Sequence, residues 1–261
     1  MRKLLFFDID GTLVDGKKQA VPESAVEGLW KAHQNGHLLF VNTGRCKSFM
    51  PSCLEELPWD GFIYGCGSHV EYRGKVLMEA YVSREKLAHI REAMEETGIQ
   101  GIFQGPEYCY FSQEPVYYHN FQSFLTMYDR DYKAARKSFY EDEMKVNKVV
   151  TFREDSCDYG TFKEKMRNCQ MIENGGGFME LLPLPFTKAT GMDVVCGYFG
   201  IRKDDCYVFG DSPNDLPMLM VTKNSIAMGN SCDLVKERSS YVTDNIEYNG
   251  IYKALIYFQL I

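Results

Sequence analysis

The chain has no apolar stretch approaching the ~20 residues needed to span a bilayer, which argues against a membrane protein. It also lacks a basic surplus. The formal net charge is −7, whereas a general nucleic-acid binder carries an excess of Lys and Arg. No two of the nine cysteines form a CxxC pair, and cysteines scattered in this way argue against a zinc site. No internal repeat or low-complexity tract is present. The opening MRKLLFFDIDGT starts like a signal peptide but meets two aspartates at once, so it reads better as a buried strand. Without an export signal, the thiols are expected to be reduced and the protein cytoplasmic.

What remains is an ordinary globular composition, 45% hydrophobic and 25% charged over 261 residues. That is room for one large domain or two modest ones. An acidic protein that handles phosphate must concentrate positive charge locally, through a metal, a lysine or backbone N–H groups.

Short apolar runs alternate with helical patterns. Leu4–Phe7, Leu38–Val41, Phe62–Tyr64, Tyr207–Phe209 and Ser225–Met228 are strand candidates. Several are apolar at consecutive positions, as a parallel sheet covered on both faces requires. Between the first two, Pro22 opens a helix with Val26, Leu29 and Trp30 on one face, and Gly36 stops it. This rhythm predicts a doubly wound parallel α/β sheet.

The middle of the chain differs. An amphipathic helix is expected over Arg84–Thr97 with Gly98 as its C-cap. Strands follow at Ile102–Phe103, Tyr108–Phe111 and Val146–Phe152, then a charged helix at Tyr159–Asn168. Two further strands flank a Gly175-Gly176-Gly177 turn. The pattern predicts a core from residues 1–83 and 185–261, interrupted by an α+β insertion over residues 84–184. Connections near Ser83 and Pro183–Pro185 are the expected hinges.

Chemistry-bearing residues gather where strands end. The first strand runs into Asp8-Ile9-Asp10-Gly11-Thr12. Buried strands avoid unpaired carboxylates, and two aspartates spaced by two project to the same side. A helix cap with one incidental acid is the alternative, but a cap needs only one. The second strand ends in Thr43-Gly44-Arg45, whose hydroxyl and N–H groups suit a phosphate oxygen, although such a pair is often only a turn. The strand over Tyr207–Phe209 runs into Gly210-Asp211-Ser212-Pro213-Asn214-Asp215. Four aspartates at two strand ends form the hard-oxygen set that Mg²⁺ prefers; a solvated acidic turn is the alternative. Lys188 follows the insertion and precedes a helical pattern. Taken alone it would pass for a surface lysine.

In order, Asp-x-Asp-Gly-Thr, Thr-Gly-Arg, Lys and Gly-Asp-x-x-Asn-Asp resemble the haloacid dehalogenase-like superfamily of phosphatases. The insertion and the segment Ala227-Met228-Gly229-Asn230 look like the Cof-type group with a type IIB cap, and the resemblance covers essentially the whole chain. It implies Asp8 as nucleophile and Mg²⁺ ligand. Asp10 would be the general acid/base, with its carbonyl facing the metal. Asp211 would bind the ion by its side chain, with Asp215 as a further ligand or an acid supporting the ligands. Ile9 N–H, Thr43, Gly44, Lys188 and Asn214 would hold phosphoryl oxygens, and Arg45 would face substrate or cap. One departure is Cys66, at a position where related chains commonly carry asparagine; a small packing residue is the simpler role for it.

The expected activity is Mg²⁺-dependent hydrolysis of a small phosphorylated metabolite, such as a sugar phosphate, with the insertion choosing the substrate and excluding water when closed. Phe178, Tyr108 and Tyr110 are candidate pocket aromatics, core packing being their alternative. A phosphosugar mutase and a non-catalytic phospho-ligand sensor are the competing functions, although a sensor has no need of Asp10. No nucleic-acid or membrane partner is expected, and the protein is expected to be a monomer or a small homo-oligomer.

Overall fold

The computed structural model describes residues 2–112, 117–131, 135–173, 176–182 and 185–261. In chain order, β1 (Leu4–Phe7), α1 (Glu23–Gln34), β2 (Leu38–Asn42), β3 (Gly61–Tyr64), β4 (His69–Tyr72) and β5 (Lys75–Glu79) come first. The insertion then contributes α2 (Arg84–Thr97), β6 (Gln100–Gln104), β7 (Tyr108–Phe111), α3 (His119–Asp131) and β8 (Ala135–Ser138). It continues through β9 (Lys148–Phe152), α4 (Tyr159–Lys165), β10 (Gln170–Glu173) and β11 (Phe178–Leu182). The chain ends with α5 (Lys188–Phe199), β12 (Cys206–Gly210), α6 (Leu216–Leu219), β13 (Asn224–Ala227), α7 (Asp233–Arg238), β14 (Tyr241–Val242) and α8 (Gly250–Tyr257).

Two compact units result. The first comprises Met1–Arg45, Cys53–Glu79 and Phe186–Ile261. Its sheet has eight strands in the order β14-β13-β12-β1-β2-β3-β4-β5. The pairs from β14 to β3 are parallel, and β4 and β5 add an antiparallel hairpin. β1 is buried at all four residues because both faces are covered. Leu4, Phe6 and Phe40 pack with Met192 and Val195 of α5 and Met218 and Leu219 of α6. Leu5 and Phe7 point the other way, and Phe7 stacks on Phe209 at 4.5 Å. On α1, Ala25, Gly28, Leu29 and Ala32 are buried. Trp30 is 43% exposed, contrary to the expected apolar face. The small residues Ala25, Gly28 and Ala32 let α1 approach its neighbours closely; a Cβ on Gly28 would come within 2.9 Å of Leu255 in α8. The contact face of α1 is therefore set by its small residues and Leu29 together, not by its bulky residues alone.

The β4–β5 hairpin adds two strands beyond those the sequence pattern predicts. It turns at Arg73-Gly74, both with positive φ, as a two-residue hairpin loop demands. β5 is largely exposed, so it carries little of the apolar signal that marks a buried strand.

The second unit comprises Cys46–Ser52 and Ala80–Pro185. It takes in Cys46–Ser52 because Phe49 packs against Phe124 and Tyr128, and Ala80–Ser83 because Val82 enters its core. Its six strands run β10-β11-β9-β6-β7-β8, antiparallel except for β7–β8. Ser83 caps α2 by accepting the N–H of Lys86, and Gly98 ends it in the left-handed conformation. The aromatic-rich stretch folds partly as α3, with Phe121 stacked on Phe152 at 4.4 Å. Gly175, Pro183 and Leu184, part of the expected turn and hinge, lie outside the described residues. Among the described residues, no helix is long and apolar enough to cross a membrane.

Candidate active site

Parallel strands end together, so β1, β2 and β12 deliver their following loops to one edge of the sheet. Asp8 follows β1 directly and is 4% exposed; its N–H donates to Phe209 O in β12. Ile9 is fully buried, and its carbonyl accepts the N–H groups of Leu13 and Val14. That tight turn requires Gly11. Its φ is +82°, and a Cβ there would sit 2.4 Å from Asp211 Oδ2. Thr12 Oγ1 donates to Asp211 Oδ1 at 2.9 Å, tying the β1 loop to the β12 loop.

β12 ends at Gly210, where a Cβ would come within 2.7 Å of the Asp215 side chain. Asp215 is fully buried. Its Oδ2 accepts the N–H groups of Asp211 and Ser212 at 2.9 and 3.0 Å, which leaves Oδ1 for Lys188 Nζ at 2.6 Å. Lys188 Nζ also donates to Asp8 Oδ1 at 2.5 Å.

Lys188 is itself wholly buried, at the first position of α5. A cation at a helix N-terminus opposes the helix dipole, so its place depends on the two carboxylates. Thr187 and Thr190 fix the start of α5 through a reciprocal capping box. Asn42 Nδ2 donates to the Lys188 carbonyl at 3.0 Å. Gly191 allows α5 to lie against β3, since a Cβ there would approach Ile63 to 2.3 Å.

These groups shift one another. Burial, then the charges of Asp215 and Asp211, push the Asp8 carboxyl well above its ordinary range against the pull of Lys188. Burial and Asp215 push Asp211 up to about 7. For Lys188, burial acts downward, but Asp215 and Asp8 outweigh it and hold the ammonium charged. Asp8, Asp211 and Asp215 each offer an oxygen within 4.8 Å of the others. Three crowded carboxylates, two of them with raised pKa values, suit a hard divalent cation. The Asp10 side chain is not part of this group.

Asp10 lies instead at the mouth, its side chain 58% exposed. Arg45 grips it with two bonds, Nε to Oδ2 at 2.8 Å and Nη2 to Oδ1 at 2.6 Å. Thr43 Oγ1 accepts the Arg45 N–H at 3.1 Å, which leaves its own O–H to donate. Asn214 Oδ1 accepts from Ser212 Oγ at 2.7 Å, and a Cβ on Gly44 would lie 3.8 Å from Asn214 Nδ2. Thr43, Gly44 and Asn214 therefore converge. Cys66 stands beside them in the left-handed conformation, φ 54° and ψ 39°. Its N–H donates to Thr43 O, and its sulfur would meet a Gly44 Cβ at 3.3 Å.

Three supporting residues carry little signal in the sequence. Thr12 belongs to the Asp-x-Asp-Gly-Thr motif, where its hydroxyl carries no sequence signal of its own. Asn42 read as a strand end. Asn230 donates to Gly11 O at 2.8 Å and accepts from Ile246 N at 3.0 Å, bracing the β1 loop. Its only sequence signal was its place in a segment marked by resemblance. In the second unit, Phe178 packs on Phe124 and Phe152. Tyr108 and Tyr110 line a cavity of about 650 Å³.

Comparison with known proteins gives a consistent result. The family model for haloacid dehalogenase-like hydrolases matches residues 5–255. The Bacillus subtilis (strain 168) protein YkrA is 27% identical over 253 residues, spanning 95% of each chain. The pyridoxal phosphate phosphatase YbhA of Escherichia coli (strain K12) is 26% identical, over 97% of this chain and 99% of its own. A solved sugar phosphatase of haloacid dehalogenase subclass IIB superposes with a TM-score of 0.85 at 28% identity, over 99% of this chain and 100% of its own.

Proposed function

The chain belongs to the haloacid dehalogenase-like hydrolases, and on that premise we propose that it is a Mg²⁺-dependent phosphatase acting through a phospho-aspartate on Asp8. Its substrates are small phosphate monoesters, sugar phosphates or related metabolites. The observation that carries this function is the wholly buried Lys188 held between Asp8 and Asp215, with Asp211 beside them. A charge cluster this costly to bury stands where open α/β sheets bind ligands.

Asp8, Asp211 and Asp215 would hold Mg²⁺, with the Asp10 carbonyl as a further oxygen donor. When bound, the ion offsets phosphoryl charge and so relieves the repulsion between a carboxylate and a phosphate ester.

The chain's own residues do the rest. Lys188, Thr43, Asn214 and the Ile9 and Gly44 N–H groups hold the phosphoryl oxygens. Lys188 fixes Asp8 through Oδ1, which leaves Oδ2 to attack phosphorus. The ester P–O bond breaks as the Oδ2–P bond forms, and Asp10 gives its proton to the departing alkoxide. Asp10 then takes a proton from the water that attacks the aspartyl phosphate. The bond to Asp8 breaks, inorganic phosphate leaves, and both aspartates return to their starting states. Because both Asp10 oxygens bond to Arg45 in the structure, Arg45 must release one before Asp10 can serve the leaving group. We assign choice of the ester's alcohol portion to the second compact unit. The named activities of YbhA and the subclass IIB sugar phosphatase support a small monoester.

The test is phosphate release from a panel of phosphate esters with and without Mg²⁺, alongside Asp8→Asn. Turnover that needs the metal and falls at least about a thousandfold in the variant is expected, the scale for a nucleophile within a catalytic unit. Robust turnover by pure Asp8→Asn protein would overturn the mechanism.

A further inference from the structure

Away from the catalytic edge, Cys196 Sγ and Cys206 Sγ lie 3.5 Å apart. Cys196 is in the last turn of α5 and Cys206 opens β12. Both thiols are free. The pair is asymmetric. Cys206 is fully buried, and its sulfur is also within hydrogen-bonding reach of the Arg202 carbonyl. Cys196 keeps 6% of its surface open to solvent. The hydrogen bond shared with Cys206 draws the Cys196 thiol below its ordinary pKa, with the Lys203 charge adding to the effect against burial and Asp193. The same bond, with burial, pushes Cys206 up. One sulfur is therefore the more easily ionised and the more accessible, and the other is a buried thiol already in contact with it. Reactive and resolving cysteines of redox couples share this arrangement.

We propose that Cys196 and Cys206 form a peroxide-responsive dithiol site. The Cys196 thiolate attacks one oxygen of hydrogen peroxide, giving Cys196 sulfenic acid and hydroxide, which takes up the proton that Cys196 had released. Cys206 sulfur then attacks Cys196 sulfur. Its proton and the sulfenic hydroxyl leave as water, and the S–S bond forms. In sum, two thiols and one peroxide give one disulfide and two waters. Closing the sulfurs from 3.5 Å to the ~2.05 Å of a disulfide calls for a small shift of α5 against β12. The bond would tie the helix that begins with Lys188 to the strand that runs into Asp211. A thiol reductant reverses it.

The test uses the full chain, treated with about equimolar hydrogen peroxide, quenched, alkylated and digested for mass spectrometry, with a parallel thiol titration. Expected is a Cys196–Cys206 linked peptide, loss of two titratable thiols, recovery with dithiothreitol, and a melting temperature several degrees higher in the oxidised protein, as a cross-link in a folded core provides. Cys196→Ser should abolish the linked peptide while keeping activity in reductant. Cys206→Ala should instead leave Cys196 to form stable oxygen adducts. If either variant folds poorly, the wild-type linked-peptide assay decides by itself. The proposal is overturned if peroxide leaves the pair reduced, if Cys196 ends only in oxygen adducts in the wild type, or if the lost thiols map to other cysteines.

Discussion

Lys188 Nζ lies 2.5 Å from Asp8 Oδ1 across 180 residues of sequence, with both side chains shut away from solvent. Removing one member of a buried ion cluster leaves the other charged and unpaired. Lys188→Met should lower stability by about 2 kcal/mol, below the ~3–5 kcal/mol typical of such breaks, because Asp8 can recover part by taking up a proton. Phosphatase activity should fall about a hundredfold or more through loss of phosphoryl stabilisation. Denaturant melts and kcat on one substrate check both; a stable, fully active variant would remove Lys188 from the site.

Asp10 should matter in proportion to the leaving group. Asp10→Asn is expected to impair sugar-phosphate hydrolysis much more than hydrolysis of an aryl phosphate, whose leaving group needs little protonation. The ratio of the two defects is the measurement. Equal losses on both substrates would count against proton donation by Asp10.

Gly11 should not tolerate a side chain. A methyl there faces Asp211 Oδ2 at 2.4 Å with φ at +82°, so Gly11→Ala carries both a clash and backbone strain. We expect a destabilisation of about 1–3 kcal/mol and a raised Mg²⁺ requirement, since the displaced group is a proposed ligand. Metal titration of activity reads the second effect, and an unchanged metal requirement would contradict the placement of Asp211.

The metal should compete with protons. The folded pKa of Asp211, about 7, lies above its ordinary value of 3.8, and Asp8 is raised as well. Between those limits the folded, metal-free protein binds more protons than the unfolded chain. This contribution to its stability is therefore present at low pH and lost as pH rises through about 7. Mg²⁺ should then raise the melting temperature more at about pH 8 than at about pH 5.5. Melting curves with metal and with chelator at both values make the comparison. A larger shift at the acid end would refute it.

The sequence by itself determined the elements and the inventory of the site. Consecutive apolar residues in Leu4–Phe7 and Leu38–Val41 mark strands covered on both faces, because period and burial are local properties of the chain. Ser83 and Gly98 bound α2 for equally local reasons, a cap that satisfies an N–H and a residue that accepts positive φ. Aspartates at strand ends were conspicuous because carboxylates are costly there. What lacked a local signal was missed. β5 is exposed and the buried face of α1 is built from small residues, whereas Phe121, Phe124, Leu125 and Tyr128 of α3 recur at helical spacing and are legible in the sequence. Only the tertiary structure decided pairings. Nothing in the sequence says that Lys188 bridges Asp8 and Asp215, that Arg45 holds Asp10, or that Cys196 meets Cys206. Those partners are set by parallel strand order and helix packing, which bring together residues far apart in the chain, and the energy of each charge depends on what burial leaves around it.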